Sequence, residues 1–173
     1  MNTDTGFMPP LRLWRPREAG VVKAALAAMA SVALLCIVSD VLFRSILPAA
    51  YLALFVPAHL PATMIAFTIN AIGEELVFRL GVMSVLLFGL MAALRRSAPE
   101  PAIVFIAAVL AQLLNLARFG VPHGWEEIIH WMLRYLAPGI VWGWLYWRYS
   151  FATALFAHAG THLVLDPALS CFL

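Results

Sequence analysis

Long apolar runs alternate with short polar or proline-containing stretches along most of this chain. The runs cover approximately residues 21–43, 62–94, 102–119, 128–147 and 150–165. A helix needs about 20 residues to cross the hydrocarbon core of a bilayer, and most of these runs are close to or above that length. Helices satisfy their backbone hydrogen bonds internally inside lipid. The pattern therefore predicts an all-α fold, a polytopic transmembrane helix bundle with about five to six spans.

The composition agrees with a chain embedded in lipid. Of the 173 residues, 64% are hydrophobic and only 12% are charged, and the mean hydropathy is +0.91. Soluble domains are nearer half apolar and about a quarter charged. The net charge is only +2 and the basic residues form no continuous stripe, so no nucleic-acid partner is expected. Cys36 and Cys171 have no spacing that predicts a metal site or a disulfide.

The order of the runs predicts a simple domain organisation. Residues 1–20 are polar and partly basic, and we expect a cytoplasmic N-terminal segment there. Residues 21–173 are expected to form a single transmembrane helical domain that carries the functional site. The first apolar run is too long for the core of a cleaved signal peptide, so it is interpreted as an uncleaved span. Gly139 and Gly143 form a GxxxG pattern, which favours close packing inside the bundle over a dimer contact.

Residues 44–61 contain three prolines, and proline interrupts helices. This stretch predicts either a short broken span or a re-entrant or interfacial hairpin. Basic residues favour the cytoplasmic side of a membrane. If 44–61 does not cross, most of the basic residues fall on one side, which favours five crossings with the N-terminus in the cytoplasm.

Glu74, Glu75 and Arg79 place three charges inside the apolar run 62–94. A charge in lipid costs several kcal/mol unless it is paired. Residues four apart share a helix face, so Glu75 is expected to pair with Arg79. Glu74 lies about 100° further round the helix and is expected to keep an unpaired carboxylate, suited to a general base. The competing interpretation is a structural ion cluster. The run is also longer than a bilayer requires, so we expect the helix to tilt, protrude or break near 70–73.

His158 and His162 lie four residues apart in the last run and share a helix face. Polar side chains at this depth should face the bundle interior, where they can meet Glu74. Two alternatives are a pair of hydrogen-bonding residues that join helices, and a zinc site with Glu74 as third ligand. The glutamate of H-E-x-x-H is missing, so no cofactor is expected and the metal stays an alternative. We expect the final helix to stop at Asp166-Pro167.

The pattern Glu74-Glu75-x-x-x-Arg79 resembles the first motif of the CPBP family of CAAX-processing and bacteriocin-processing membrane proteins, which includes the Rce1-type glutamic intramembrane proteases. The block 141–162 is similar to the family's last motif, HxxxN/B, with His158 on its histidine and His162 on its asparagine. The middle motif, FxxxH, has lost its histidine. One alignment puts Arg118 there and a shifted one puts Asn115.

Gln112 is a further polar candidate on that middle helix, and His123 and His130 follow it and could reach back. As ordinary residues, His123 would be a loop side chain and His130 an interfacial one.

The resemblance implies an intramembrane endopeptidase in which Glu74 activates a water. Glu75 and Arg79 would hold the geometry, His158 and His162 would donate hydrogen bonds to the oxyanion, and Asn115 or Arg118 would replace the missing histidine. The expected partners are the lipid bilayer and a membrane-anchored protein or peptide cut near a terminal segment, with prenylated proteins the less favoured class. The expected location is a bacterial inner (cytoplasmic) membrane.

A non-catalytic immunity or scaffold protein is the alternative to a protease, and the missing histidine favours it. A small transporter or channel is a third class, but the chain lacks the inverted repeat of many carriers.

Overall fold

The computed structural model describes residues 20–120 and 122–173, and all of its regular elements in those ranges are helical. The predicted N-terminal segment, apart from Gly20, lies outside the described residues. In chain order the helices are α1 (Val21–Leu42), α2 (Ala49–Leu52), α3 (Leu60–Ala93), α4 (Pro101–Leu116), α5 (125–148) and α6 (Phe151–Phe172). Short 3₁₀ turns occupy Arg44–Ile46, Ala53–Phe55 and Ala117–Phe119. The all-helical prediction is confirmed.

Two helices in the described ranges are long and apolar enough to cross a membrane. They are α1 and α3. The apolar helix α4 is shorter, at 16 residues. Length and composition therefore support two candidate spans directly, and the predicted total of five to six stays a prediction.

The proline-containing stretch 44–61 forms no continuous crossing helix. It consists of α2, only four residues long, between two 3₁₀ turns. Pro48 precedes α2 in an extended conformation, and Pro61 lies in the first turn of α3, where a backbone N–H would have no helical partner. The Thr63 hydroxyl donates to the Leu54 carbonyl at 2.9 Å, which ties this stretch to the start of α3.

Helix α3 passes through residues 70–73 without interruption, so the break proposed there is wrong. Instead Glu75–Met83 adopts the wider π-helical form, in which backbone bonds join residues i and i+5. The α form resumes at Ser84–Ala93. Helix α5 contains a similar π segment, Met132–Leu136. Local widening thus accommodates the charged motif in a helix that stays continuous.

The predicted stop at Asp166-Pro167 is also wrong, because α6 continues to Phe172. Proline removes a backbone donor, but helices in apolar surroundings tolerate it when neighbouring groups satisfy the freed acceptors. The Ser170 hydroxyl donates to the Pro167 carbonyl at 2.7 Å and supports the final turn. As a result Asp166 lies inside the helix and is completely buried.

Helix α6 packs against α1, α3 and α5, and α5 packs against α4. Small residues on α5 allow it to approach α4 closely. A Cβ atom on Gly139 would lie 2.1 Å from the Gln112 side chain, and one on Gly143 would lie 2.8 Å from Ala108. The GxxxG pattern therefore serves packing within the chain, as predicted.

Candidate active site

A cavity of about 280 Å³ lies between α1, α3, α4, α5 and α6. We call it the site cavity. Five of the seven predicted site residues line it: Glu74, Arg79, Asn115, His158 and His162. The other two, Glu75 and Arg118, contact members of that group. The fold therefore brings the predicted residues of three separate helices to one place.

The Glu74 carboxylate accepts three hydrogen bonds, so the predicted unpaired acid is wrong. Asn70 Nδ2 and Arg118 Nη2 each lie 2.9 Å from Oε1, and Asn115 Nδ2 lies 3.2 Å from Oε2. Two of these donors come from α4 and the turn after it, which helical spacing within α3 does not reveal. The side chain keeps 16% exposure. Within 20–120 and 122–173, Oε2 accepts one bond, and a carboxylate oxygen has two lone pairs.

Both candidates for the missing histidine contact Glu74. Arg118 is 45% exposed, and its guanidinium lies 5.1 Å from the Phe78 ring centroid. Arg118 Nη2 also donates to Asn115 Oδ1 at 2.6 Å. The arginine thus compensates the charge of Glu74 and holds Asn115 against it. Guanidinium has no acceptor, so Arg118 does not take a proton from water.

Neither downstream histidine fills the vacant position. His123 lies in the loop after α4, as its ordinary interpretation predicted, and its backbone N–H donates to Glu127 at 2.8 Å. His130 is buried rather than interfacial, and its Nε2 lies 2.8 Å from Asp40 Oδ1.

Glu75 lies behind the cavity wall with no exposed surface. Its Oε1 is 3.7 Å from Arg79 Nε, which confirms the predicted pairing, and 2.9 Å from His158 Nδ1. The sequence instead predicted that His158 meets Glu74. Neighbouring residues on a helix point in different directions, and it is Glu75 that faces α6. Arg79 Nη2 also donates to Gln112 Oε1 at 2.8 Å, which joins α3 to α4.

The two histidines of α6 each hold a carboxylate on the same ring nitrogen. His158 Nδ1 contacts Glu75, and His162 Nδ1 lies 3.2 Å from Asp166 Oδ1. Their ring centroids are 5.9 Å apart. The His158 ring also stacks on Trp142, with centroids 5.4 Å apart and planes 16° from parallel. A carboxylate at Nδ1 fixes the ring orientation and directs Nε2 away from that partner.

Residues 55–164 match the family model described as type II CAAX prenyl endopeptidase Rce1-like. The chain belongs to the Rce1-like family. The matched range covers more than half of the chain and contains all seven predicted site residues, so the suspected relationship to CPBP proteins is confirmed. Rce1-like proteins form a membrane-embedded protease family, which supports a peptidase. No curated protein and no solved structure matches the chain.

A second ionic cluster in this Rce1-like chain was missed by sequence reasoning. Asp40 accepts hydrogen bonds from Tyr51 at 2.6 Å, from His130 at 2.8 Å and from Arg134 at 3.1 Å. We call these four residues the Asp40 cluster. A signal was available, because Asp40 is an acid inside the first apolar run and a charge there needs a partner. Tyr51 lines both the site cavity and a second cavity of about 370 Å³.

The metal alternative has no geometric support in the part of the chain that the structure describes. There, no three His, Cys, Asp or Glu side chains are grouped so that they could hold an ion. The expected zinc ligands were His158, His162 and Glu74. His158 is bonded to Glu75 instead, and His162 is bonded to Asp166.

Proposed function

We propose that this Rce1-like chain is an intramembrane endopeptidase of the glutamic type that cleaves a membrane-anchored protein or peptide near a terminal segment. One observation carries the proposal: Glu74, His158 and His162 line the same cavity. A general base and the donors to an oxyanion must reach a single carbonyl group, and this arrangement supports that requirement.

In the proposed reaction, the free lone pair of Glu74 Oε2 accepts a proton from a water molecule. The water oxygen attacks the scissile carbonyl carbon, and the carbonyl oxygen becomes an oxyanion. A hydrogen bond from His158 Nε2 stabilises it, and loss of one such donor typically lowers the rate about 10²- to 10³-fold. When the C–N bond breaks, the amine takes a proton and the acyl part keeps the hydroxyl.

The supporting residues hold these groups in place. Glu75 and Trp142 fix two sides of the His158 ring, and Arg79 offsets the buried charge of Glu75. Asn115 and Arg118 occupy the region of the missing histidine. In this proposal they position the Glu74 carboxylate and its water, and Glu74 alone takes the proton.

The proposed setting is a bacterial inner membrane with the N-terminus in the cytoplasm. Residues 21–173 would form one transmembrane domain with about five to six spans. The apolar helices α1 and α3 and membership of a membrane-embedded family support the membrane location, and the distribution of basic residues favours the orientation.

A specific observation favours the second candidate, a non-catalytic scaffold or immunity protein. Arg118 pairs with the carboxylate that would act as the base. In such a protein the ion pair would be structural, and the cavity would hold a bound peptide that is never cut. The variant Arg118→His separates the two candidates further. If Arg118 only positions Glu74 in an active protease, the wild-type chain and Arg118→His should both cleave. If the arginine has abolished activity, the wild-type chain should not cleave and Arg118→His should.

The test compares the protein termini in membranes of cells that express the wild-type chain, Glu74→Gln or Glu100→Gln. Glu100 is the matched control, because it is an exposed glutamate that pairs only with Arg96 among the described residues. We expect new termini with the wild-type chain and Glu100→Gln and none with Glu74→Gln.

Thermal unfolding in detergent must establish that all three chains fold. Identical termini in all three, or none in any of them, would favour the scaffold.

A further inference from the structure

Asp166 is a completely buried charge on α6 whose carboxylate is only partly satisfied in the described part of the chain. Its side chain has no exposed surface, and its Oδ2 has no hydrogen-bond partner there. Among the described residues, its ionic contact is with His162. Burying a carboxylate that is only partly hydrogen-bonded is costly, so a role beyond packing is worth testing for this residue. Asp166 lies just outside the range 55–164 that matches the family model.

The two carboxylate–histidine pairs at the site cavity differ in charge. Glu75 contacts both His158 and the permanent cation Arg79. Asp166 contacts His162, and no arginine or lysine pairs with it among residues 20–120 and 122–173. Breaking a buried ion pair leaves an uncompensated charge, which is strongly unfavourable. Among these residues His162 is the group that can offset the charge of Asp166, and it does so fully when both of its ring nitrogens carry protons.

The geometry directs that proton toward the site cavity. Nδ1 of His162 is occupied by Asp166, and the ring lies on the cavity wall between Phe67 and His158, with centroids at 5.5 Å and 5.9 Å. Nε2 makes no hydrogen bond to the described residues and is the nitrogen available to a substrate. A carboxylate on one imidazole nitrogen stabilises the imidazolium and orients it.

We propose that Asp166 holds His162 as the general acid that protonates the leaving amine, with Asp166 as a positioning residue and His162 as a catalytic one. This assignment rests on the proposed function and gives the two histidines different tasks. His158 stabilises the oxyanion, while His162 passes its Nε2 proton to the amide nitrogen as the C–N bond breaks. The proton that Glu74 took from water then returns to His162 through water. The sum is one water added across one amide bond.

The first test observes the His162–Asp166 pair without any substrate. Nitrogen NMR of the full chain labelled with ¹⁵N-histidine, in lipid nanodiscs, reports which ring nitrogens carry protons. The variant His162→Gln identifies the His162 signals. We expect protons on both Nδ1 and Nε2 of His162 in the wild-type chain, and loss of the Nε2 proton in Asp166→Asn but not in Ser170→Ala. Ser170 lies on the same helix and bonds only to Pro167 among the described residues. A wild-type His162 without a proton on Nε2 would overturn the proposal.

The second test measures the role in catalysis, using the peptide sequence cut in the terminus mapping. One probe carries the natural amide at the scissile bond, and the other carries a phenyl ester. A phenol has a pKa near 10, so phenolate leaves without a general acid. We expect Asp166→Asn to lower amide cleavage about 10²-fold and ester cleavage by less than about tenfold. Asp166→Glu should restore part of the amide activity.

The outcomes separate this proposal from the one on which it rests. Equal losses on both probes in Asp166→Asn would make Asp166 structural and overturn the assignment. Glu74→Gln should abolish cleavage of both probes, because both reactions need the activated water. If Glu74→Gln cleaves normally, the proposed function itself fails, and the general-acid role fails with it. The NMR signals would still establish whether the His162–Asp166 pair exists.

Discussion

The Asp40 cluster and the site cavity are built from the same kinds of residue but satisfy them differently. In the Asp40 cluster both carboxylate oxygens are bonded, and Arg134 also donates to Tyr51 at 3.3 Å. At the site cavity, Glu75 Oε2 and Asp166 Oδ2 have no hydrogen-bond partner among the described residues. The Asp40 cluster is saturated, whereas the carboxylates behind the wall of the site cavity are only partly satisfied and each contacts a histidine that lines the cavity.

This contrast gives a criterion for intramembrane charges in general. Such charges are often taken as functional sites by default. Here we use the degree of satisfaction to distinguish a saturated cluster, which we expect to fix the fold, from carboxylate–histidine pairs whose histidines line a cavity. Substitutions in the Asp40 cluster should therefore change stability, and substitutions at the site cavity should change cleavage.

The largest expected effect is on stability, from Asp40→Asn. It leaves Arg134 buried without its counter-charge, so we expect a loss of about 3–5 kcal/mol in the free energy of unfolding. Chemical unfolding in detergent measures the change. The control Glu100→Gln removes an exposed ion pair and should cost at most about 1 kcal/mol. An Asp40→Asn chain as stable as the control would remove the contrast.

The matching prediction at the site cavity concerns His158→Gln. Because His158 is the proposed oxyanion donor, cleavage should fall about 10²- to 10³-fold, which is about 2.7–4 kcal/mol of transition-state stabilisation. The free energy of unfolding should change by about 1 kcal/mol, the typical value for one lost hydrogen bond. Rates on the mapped peptide and unfolding curves measure both quantities. A large loss of stability with unchanged cleavage would reverse the roles of the two regions.

A third prediction tests the wall of the cavity through a glycine pair. In Gly139→Ala the new methyl group would overlap the Gln112 side chain, which bonds to Arg79, so we expect a loss of about 1–3 kcal/mol in stability. Gly73→Ala is the control, since a Cβ there meets no atom of the described residues within 4 Å and alanine is the better helix former by about 1 kcal/mol. Thermal unfolding of both variants checks the difference. Equal stabilities would mean that Gln112 moves freely.

The smallest effect is expected for Tyr51→Phe, which removes one of three donors to Asp40. The carboxylate keeps His130 and Arg134, so the expected loss is about 1 kcal/mol in the free energy of unfolding. Cleavage should stay unchanged. A strong fall in cleavage would indicate that the Asp40 cluster also acts on the site cavity.

Local periodicity was enough to predict the helices and part of the site. The spacing of Glu75 and Arg79 fixed their pairing, and the spacing of His158 and His162 placed them on one face. The partners of Glu74 could not be predicted in this way, because Asn115 and Arg118 belong to another helix and its terminal turn. Contacts between helices depend on packing angles and rotations, which no repeat within one helix encodes.

Two other features escaped prediction for different reasons. Asp166 was taken as the end of α6 because proline usually terminates a helix, yet Pro167 lies inside it. The sequence therefore predicted that Asp166, a completely buried carboxylate, would lie at the end of the helix. Asp40 was visible as a lone acid in an apolar run, but its partners Tyr51 and Arg134 lie in separate segments of the chain.

The π segment of α3 has a consequence for the angular phase of this helix. A π turn contains more residues than an α turn. Side chains after Met83 therefore point in different directions from those that a continuous α-helix would give them. Upstream, Asn70 and Glu74 bond to each other, and downstream Ser84 reaches Tyr146 at 2.9 Å. Removing one residue from 75–83 would rotate one half of the helix by about 100° against the other. The motif residues would all remain, but they would no longer face their partners, so the length of this stretch is as much a part of the site as its composition.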